Sequence, residues 1–120
     1  MTNEEYIKAV KTTESIVNIP KLNLRMLHAA MGIVTEAGEL MDMLKKYQYY
    51  GKVFDSVNIK EEVGDLLWYI GILLDENKWT FEEIMELNIA KLKKRYPEKF
   101  TQDKAINRDL EEERKVLETN

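Results

Sequence analysis

Two short acidic motifs carry the residue types in this chain that could do metal chemistry. Each is a pair of carboxylates three positions apart, Glu36 with Glu39 and Glu62 with Asp65, and 22 residues separate the pairs. Residues three apart share one face of a helix. The second pair runs directly into the apolar segment 66–74, where a solvated acidic face would be out of place. We therefore expect four carboxylates from two helices to meet inside the protein and to hold divalent metal.

The ligand types indicate which metal to expect. Oxygen ligands in a chain without cysteine suit hard cations, Mg²⁺ in the first place and Mn²⁺ as the alternative. Carboxylates this close raise one another's pKa unless a cation neutralises them. A single Glu-x-x-Glu pair is usually solvated surface, so the interpretation depends on having two pairs. A di-iron site built on Glu-x-x-His is disfavoured, because the only histidine, His28, does not follow a glutamate by three.

A second set of polar residues lies on a helical segment predicted over 81–96. Asn88, Lys91 and Arg95 recur at spacings of three and four on a stripe that is otherwise apolar. A buried polar group without a partner costs roughly 1–3 kcal/mol, so these three side chains need partners. Cations facing a metal centre would clamp a polyphosphate. His28 is a candidate for flanking a nucleobase, although a hydrogen-bonded structural role is the more expected one.

Helical periodicity predicts the elements that position these groups, and the fold class is all-α. The predicted helices cover roughly 3–17, 22–49, 58–77 and 81–96, and a polar helical arm follows over 101–120. Asn58 with Glu61 forms a capping box that is predicted to begin the third helix. That helix is apolar nearly all round, which predicts a buried helix.

The long second helix has two faces that differ from an ordinary solvated surface. The face with the carboxylates also carries the small residues Ala29 and Gly32. Glycine inside a helix costs about 1 kcal/mol against alanine, so Gly32 and Gly38 suggest that another group approaches closely, although tight packing of helices alone would also explain them. The other face is an apolar stripe of Leu24, Leu27, Met31, Val34, Gly38 and Met41.

Composition excludes several classes of protein. The chain has 120 residues with 44% hydrophobic and 33% charged residues, as in one folded domain. A net charge of −4 argues against binding a nucleic-acid polymer. The longest apolar run, 66–74, is too short to span a bilayer, and the start at 1–5 is acidic rather than basic. A cytoplasmic protein without a membrane partner is expected.

The two acidic pairs and the segment 88–100 resemble the MazG-like all-α nucleoside triphosphate pyrophosphohydrolases over roughly residues 22–100. The resemblance implies a four-helix-bundle-like MazG-type domain over 1–100 and a separate C-terminal helical arm over 101–120. It also implies hydrolysis of the α–β phosphoanhydride of (deoxy)nucleotides to a monophosphate and pyrophosphate. Thr35 stands where the family often has an additional glutamate.

The resemblance also implies roles for individual residues. A metal-activated water would be held by the Mg²⁺ ligands, which are Glu36, Glu39, Glu62 and Asp65. The triphosphate would be bound by Asn88, Lys91 and Arg95, with Tyr96 near the sugar or base. Members of the family are homodimers or dimers of dimers, so a homodimer or homotetramer is expected. The alternative is a non-catalytic helical oligomer that binds a nucleotide or a protein partner.

Overall fold

A computed structural model describes residues 1–14 and 23–118, which form helices and connecting segments without any strand. The helices are α1 (Asn3–Thr13), α2 (Leu24–Tyr50), α3 (Ser56–Asn77), α4 (Phe81–Arg95), α5 (Gln102–Ile106) and α6 (Leu110–Glu118). The all-α prediction is confirmed. The predicted end of the first helix lies partly outside the described residues. Within the described ranges, no helix is both long and apolar enough to cross a membrane.

The start of α3 differs from the prediction. The side chain of Asp55 accepts hydrogen bonds from the backbone N–H groups of Val57 and Asn58, at 3.1 and 3.0 Å, so the helix begins at Ser56. The capping box predicted at Asn58 and Glu61 is therefore wrong. A free backbone N–H at a helix start takes the nearest good acceptor, and Asp55 supplies it first. As a result, the side-chain amide of Asn58 is not used as a cap.

Helices α2 and α3 pack against each other along their length as an antiparallel hairpin. At the open end, the Arg25 guanidinium lies 2.7 Å from a carboxylate oxygen of Asp75 and 2.9 Å from one of Glu76. At the closed end, Gly51 ends α2 in a left-handed conformation with φ of 62°, which glycine adopts without strain. The hairpin thus brings the acid-bearing face of α2 against α3.

The apolar stripe predicted on α2 faces away from α3. Its large side chains from Leu24 to Met41 are exposed, and so is part of α3, where Trp68 is 60% exposed. The prediction that α3 is buried all round is wrong for the single chain. The radius of gyration is 20.3 Å, whereas a compact domain of this length has about 14 Å. One chain alone therefore leaves much of its apolar surface uncovered.

The chain forms a second antiparallel pair from α4 and α6. The Arg95 guanidinium near the end of α4 meets Glu113 in α6. Neither α2 nor α3 packs along α4 to a comparable extent within residues 23–118. Near the start of α4, the Phe81 ring lies within van der Waals distance of the position that a Cβ atom at Gly71 in α3 would take.

Gly32 is expected to be intolerant of a larger side chain, whereas Gly38 on the same helix is not. A Cβ atom at Gly32 would overlap the ring of Tyr69 in α3, so the close approach predicted there is confirmed. The same prediction is wrong at Gly38, because none of the described residues lies within 4 Å of a Cβ built at that position. We expect Gly32→Ala to lower the free energy of unfolding by about 1–3 kcal/mol through overpacking. Gly38→Ala should raise it by up to about 1 kcal/mol through helix propensity. Urea denaturation of both variants measures the difference, and equal stabilities would contradict this account.

Candidate active site

Three of the four predicted metal ligands meet between α2 and α3. One carboxylate oxygen from each of Glu36, Glu62 and Asp65 lies within 4.8 Å of the other two. Glu62 is buried, Glu36 is half-buried, and Asp65 is exposed. The cluster therefore runs from the hairpin interior to its surface, so a hydrated ion can reach it.

Glu62 is the residue whose environment most needs explanation. Its side chain is buried, and its Oε2 atom has no hydrogen-bond partner among the described residues. Burial, which is the largest cause, and the nearby carboxyls of Glu36 and Glu39 together raise the pKa of Glu62 to about 7. Two carboxylates cannot hydrogen-bond each other unless one holds a proton. A divalent cation would relieve both the repulsion and the unpartnered oxygen, so these residues fit a hard metal ion.

Glu39 is placed one turn further along α2, beside the cluster. It lines a cavity of about 630 Å³ between the second half of α2 and the first half of α3, and Glu62 lines the same cavity. Thr35 also lines it, and its hydroxyl donates to the Gly32 carbonyl in its own helix. Where the family often has a further carboxylate, this chain therefore offers none.

On the opposite side of the cluster from this cavity, the hairpin carries aromatic side chains. The His28 ring packs edge-on against the Tyr69 ring, with centroids 5.7 Å apart, and Trp68 packs edge-on against the same Tyr69 at 5.0 Å. Tyr69 follows Asp65 by four residues, which is one helical turn. His28 is exposed. Its predicted role beside a nucleobase stays a prediction, with Tyr69 and Trp68 as neighbours that sequence reasoning did not assign to it.

The predicted phosphate-binding residues on α4 lie in the other helix pair. Asn88 is exposed, while Lys91 and Arg95 are half-buried. The Arg95 guanidinium also lies against the Tyr96 ring, 5.6 Å from its centroid. Because α4 does not pack along α2 or α3, one chain does not join this set to the acidic cluster. Its role in binding a triphosphate stays a prediction.

Arg95 is held by a buried carboxylate. Its Nε and Nη2 groups donate to the two oxygens of Glu113 at 2.7 and 2.9 Å. Arg108 donates to the same carboxylate at 3.3 and 2.6 Å, and Glu113 is only 4% exposed. The hydrogen bonds from Arg95 and from Arg108 hold the pKa of Glu113 far below its usual range. Two of the five N–H groups of Arg95 are thus committed to the protein, which fixes the direction of its side chain.

Sequence reasoning found the acidic cluster but missed the partner of Arg95 and a basic residue beside the cluster. It required a partner for Arg95 without identifying Glu113, although the acidic run at 111–113 was a signal. Lys46, which sequence reasoning did not assign to the site, lines the same cavity as Glu39 and Glu62. Lys46 follows Glu39 by seven residues, which is two helical turns, and that spacing could have placed it on the same face.

Comparison with known proteins gives one match. The family model described as the MazG nucleotide pyrophosphohydrolase domain matches residues 25–100, which include α2 from its second residue on, α3 and α4. A comparison with curated proteins and one with solved structures each found no match.

Proposed function

The chain belongs to the MazG nucleotide pyrophosphohydrolase domain family, and we propose that it hydrolyses nucleoside triphosphates to a monophosphate and pyrophosphate in a metal-dependent reaction. The observation that carries the proposal is the buried Oε2 of Glu62, which has no hydrogen-bond partner among the described residues and belongs to a carboxylate that lies in the cluster with Glu36 and Asp65. A purely structural role would not require an unpaired carboxylate in the hairpin interior, because such a group is costly to bury.

The carboxylates are assigned the metal, Mg²⁺ first and Mn²⁺ as the alternative. Glu36, Glu62 and Asp65 would hold it, and Glu39 extends the set of ligands into the cavity. A divalent ion bound there supplies positive charge to the α–β phosphoanhydride and lowers the pKa of an attacking water. The buried position of Glu62 fixes the inner side of the site, while the exposed Asp65 leaves the outer side open to substrate.

The substrate clamp is assigned to α4, and we propose that a second copy of the chain supplies it. Asn88, Lys91 and Arg95 would bind the triphosphate, with Tyr96 beside the sugar or base and Glu113 positioning Arg95. Within one chain α4 packs along α6 and not along the length of the acidic hairpin. A neighbouring copy could bring its own α4 there while covering exposed apolar surface.

The apolar surface of the hairpin supports a homodimer or homotetramer. The stripe on α2 from Leu24 to Met41 is exposed, together with Leu67 and Trp68 on α3. Large contiguous apolar patches on a folded chain indicate interaction surfaces. Only Ala29 and Leu74 are buried apolar side chains among the described residues, too few for a stable isolated domain. We therefore expect sedimentation equilibrium to show a dimer or tetramer, and a stable monomer would contradict this part of the proposal.

The reaction is tested by measuring pyrophosphate release from a panel of canonical and modified NTPs and dNTPs. Turnover with Mg²⁺, lost with chelator and restored by added metal, is the expected result. Thermal unfolding of the same sample with Mg²⁺ and nucleotide measures binding separately, since a ligand that binds the folded state raises the melting temperature. A folded oligomer that neither releases pyrophosphate nor gains stability would overturn the proposal.

A further inference from the structure

The cavity beside the acidic cluster has two chemically different ends. Glu39 and Glu62 line one end, next to the cluster. Lys46 and Asn58 line the other, where α2 approaches the loop that joins it to α3. Glu39 and Lys46 share one face of α2 and are separated by about 10 Å along the helix axis. A ligand that lies along this cavity would therefore contact carboxylates at one end and an ammonium group at the other.

The Lys46 ammonium has a partner that it can exchange at little cost. It lies 2.7 Å from an oxygen of Asp42, one turn earlier on the same helix. Both side chains are about half exposed, and ion pairs of this kind contribute little net stability. A phosphate oxygen offers Lys46 a stronger, charge-assisted bond, while Asp42 keeps the side chain on the cavity side.

Asn58 has an amide that lacks a good partner. Its Nδ2 group donates to the Met43 sulfur at 2.9 Å, and a thioether is a weak acceptor. Asn58 is half-buried, and no other hydrogen bond of its side chain is seen among the described residues. Because Asp55 caps α3, this amide has no capping role, and it faces the same cavity as Lys46.

We propose that this cavity holds the terminal phosphates of the nucleotide and that Lys46 and Asn58 bind them. The inference rests on the proposed function and adds the orientation of the bound nucleotide to it. The pyrophosphate that leaves would lie toward Lys46, while the nucleoside would lie on the other side of the cluster. Three carboxylates line the cavity against one ammonium, so a phosphate enters it only together with a divalent cation.

Lys46→Gln tests the orientation of the nucleotide, and Lys45→Gln is its matched control. Lys45 is the neighbouring residue, but it lines a different cavity and lies over the Tyr50 ring at 5.7 Å. We expect Lys46→Gln to raise KM for the triphosphate and the inhibition constant of Mg²⁺-pyrophosphate by about tenfold, as for the loss of one charge-assisted bond. Inhibition by the nucleoside monophosphate and the melting temperature should stay unchanged. Lys46→Arg should restore most of the pyrophosphate affinity, and Lys45→Gln should match the wild type.

A second variant tests the amide. Asn58→Asp replaces a donor by a carboxylate of the same size, so it should weaken Mg²⁺-pyrophosphate at least as much as Lys46→Gln does. Calorimetric titration of the wild type with pyrophosphate, with Mg²⁺ and then with chelator, should show binding only in the presence of the metal.

The outcomes separate this inference from the proposed function. A wild type that releases pyrophosphate, with Lys46→Gln and Asn58→Asp unchanged, would overturn the inference and leave the function standing. Equal weakening of the binding of pyrophosphate and of the monophosphate by Lys46→Gln would also overturn the inference, because Lys46 would then not distinguish the pyrophosphate end of the nucleotide from the nucleoside end. A wild type that neither turns over nor binds Mg²⁺-pyrophosphate would overturn both.

Discussion

Replacing Glu62 by glutamine is expected to abolish metal-dependent pyrophosphate release while the metal-free protein remains folded. The substitution keeps the shape of the side chain but removes the charge of the most buried member of the cluster. Loss of a group that supports a metal ligand costs roughly 10- to 100-fold in metal affinity or activity. Loss of a direct ligand should cost more. The measurement is kcat/KM for the best substrate of the panel over a range of Mg²⁺ concentrations.

In the absence of metal, Glu62→Gln should keep or raise the stability of the protein, although it abolishes activity. The pKa of Glu62 is raised from 4.5 to about 7, so the folded state binds a proton that the unfolded state releases between these values. The contribution to stability is complete below pH 4.5 and is lost as the pH rises through about 7. Glutamine cannot ionise and avoids this loss. With chelator present, Glu62→Gln should therefore be at least as stable as the wild type at pH 8, and the difference should shrink at pH 5.

Glu61→Gln is the control for this experiment. Glu61 is the preceding residue, it is exposed, and it does not belong to the cluster. Its substitution should leave both activity and the pH dependence of stability unchanged. Full activity in Glu62→Gln would contradict the assignment of Glu62 as a metal ligand. If the metal-free variant unfolds, the Glu62 carboxylate has a structural role.

The second large effect is expected for Glu113→Gln, which should loosen the C-terminal arm from α4. Arg95 and Arg108 together donate four hydrogen bonds to the Glu113 carboxylate. A glutamine presents an amide donor to two guanidinium groups and removes the charge that balances them. Breaking a buried ion pair by removing one partner leaves an uncompensated charge and is strongly destabilising. We expect the melting temperature to fall by about 10 °C or more, because a broken buried pair costs about 3–5 kcal/mol and each kcal/mol lowers the melting temperature by a few degrees in a domain of this length.

Hydrogen exchange measures where this change occurs. Amide groups of α6 should lose protection in Glu113→Gln, while those of the α2–α3 hairpin should not, because the arm packs on α4. Glu111→Gln is the control, since Glu111 lies on the same helix and is exposed. Equal protection of α6 in both variants would contradict the role of Glu113. KM for the triphosphate should also rise in Glu113→Gln if Arg95 binds phosphate, because its side chain is no longer positioned.

The wild-type contact should resist acid. The pKa of Glu113 lies far below its usual value of 4.5, so the folded state holds the carboxylate ionised where the unfolded state would protonate it. The stability from this pair is present above pH 4.5 and is lost only as the pH falls through the much lower folded-state value. The arm should therefore stay protected at pH 4, where most surface ion pairs of carboxylates weaken.

The sequence by itself determined the type and the spacing of the carboxylates that form the acidic cluster. Glu36, Glu62 and Asp65 meet in the structure, and the separation of three within each pair already placed their side chains on helix faces. Helical periodicity likewise determined the all-α class and the approximate limits of α2 and α4. The small residue at Gly32 correctly indicated a close approach, which the Tyr69 ring makes. These features are local, because they depend on residues within a few turns of one helix.

Only the tertiary structure decided which surfaces meet. The long helix α2 has one apolar face and one with small residues and carboxylates, and periodicity does not state which packs inward. The hairpin buries the face of Ala29 and Gly32 and leaves the apolar stripe exposed. A helix in a globular protein usually buries its apolar stripe instead. The partner of Arg95 is 18 residues away in the chain, and Lys46 shares a cavity with Glu62 across two helices. Such pairings depend on long-range packing of helices, and the spacing of residues along one helix does not contain that information.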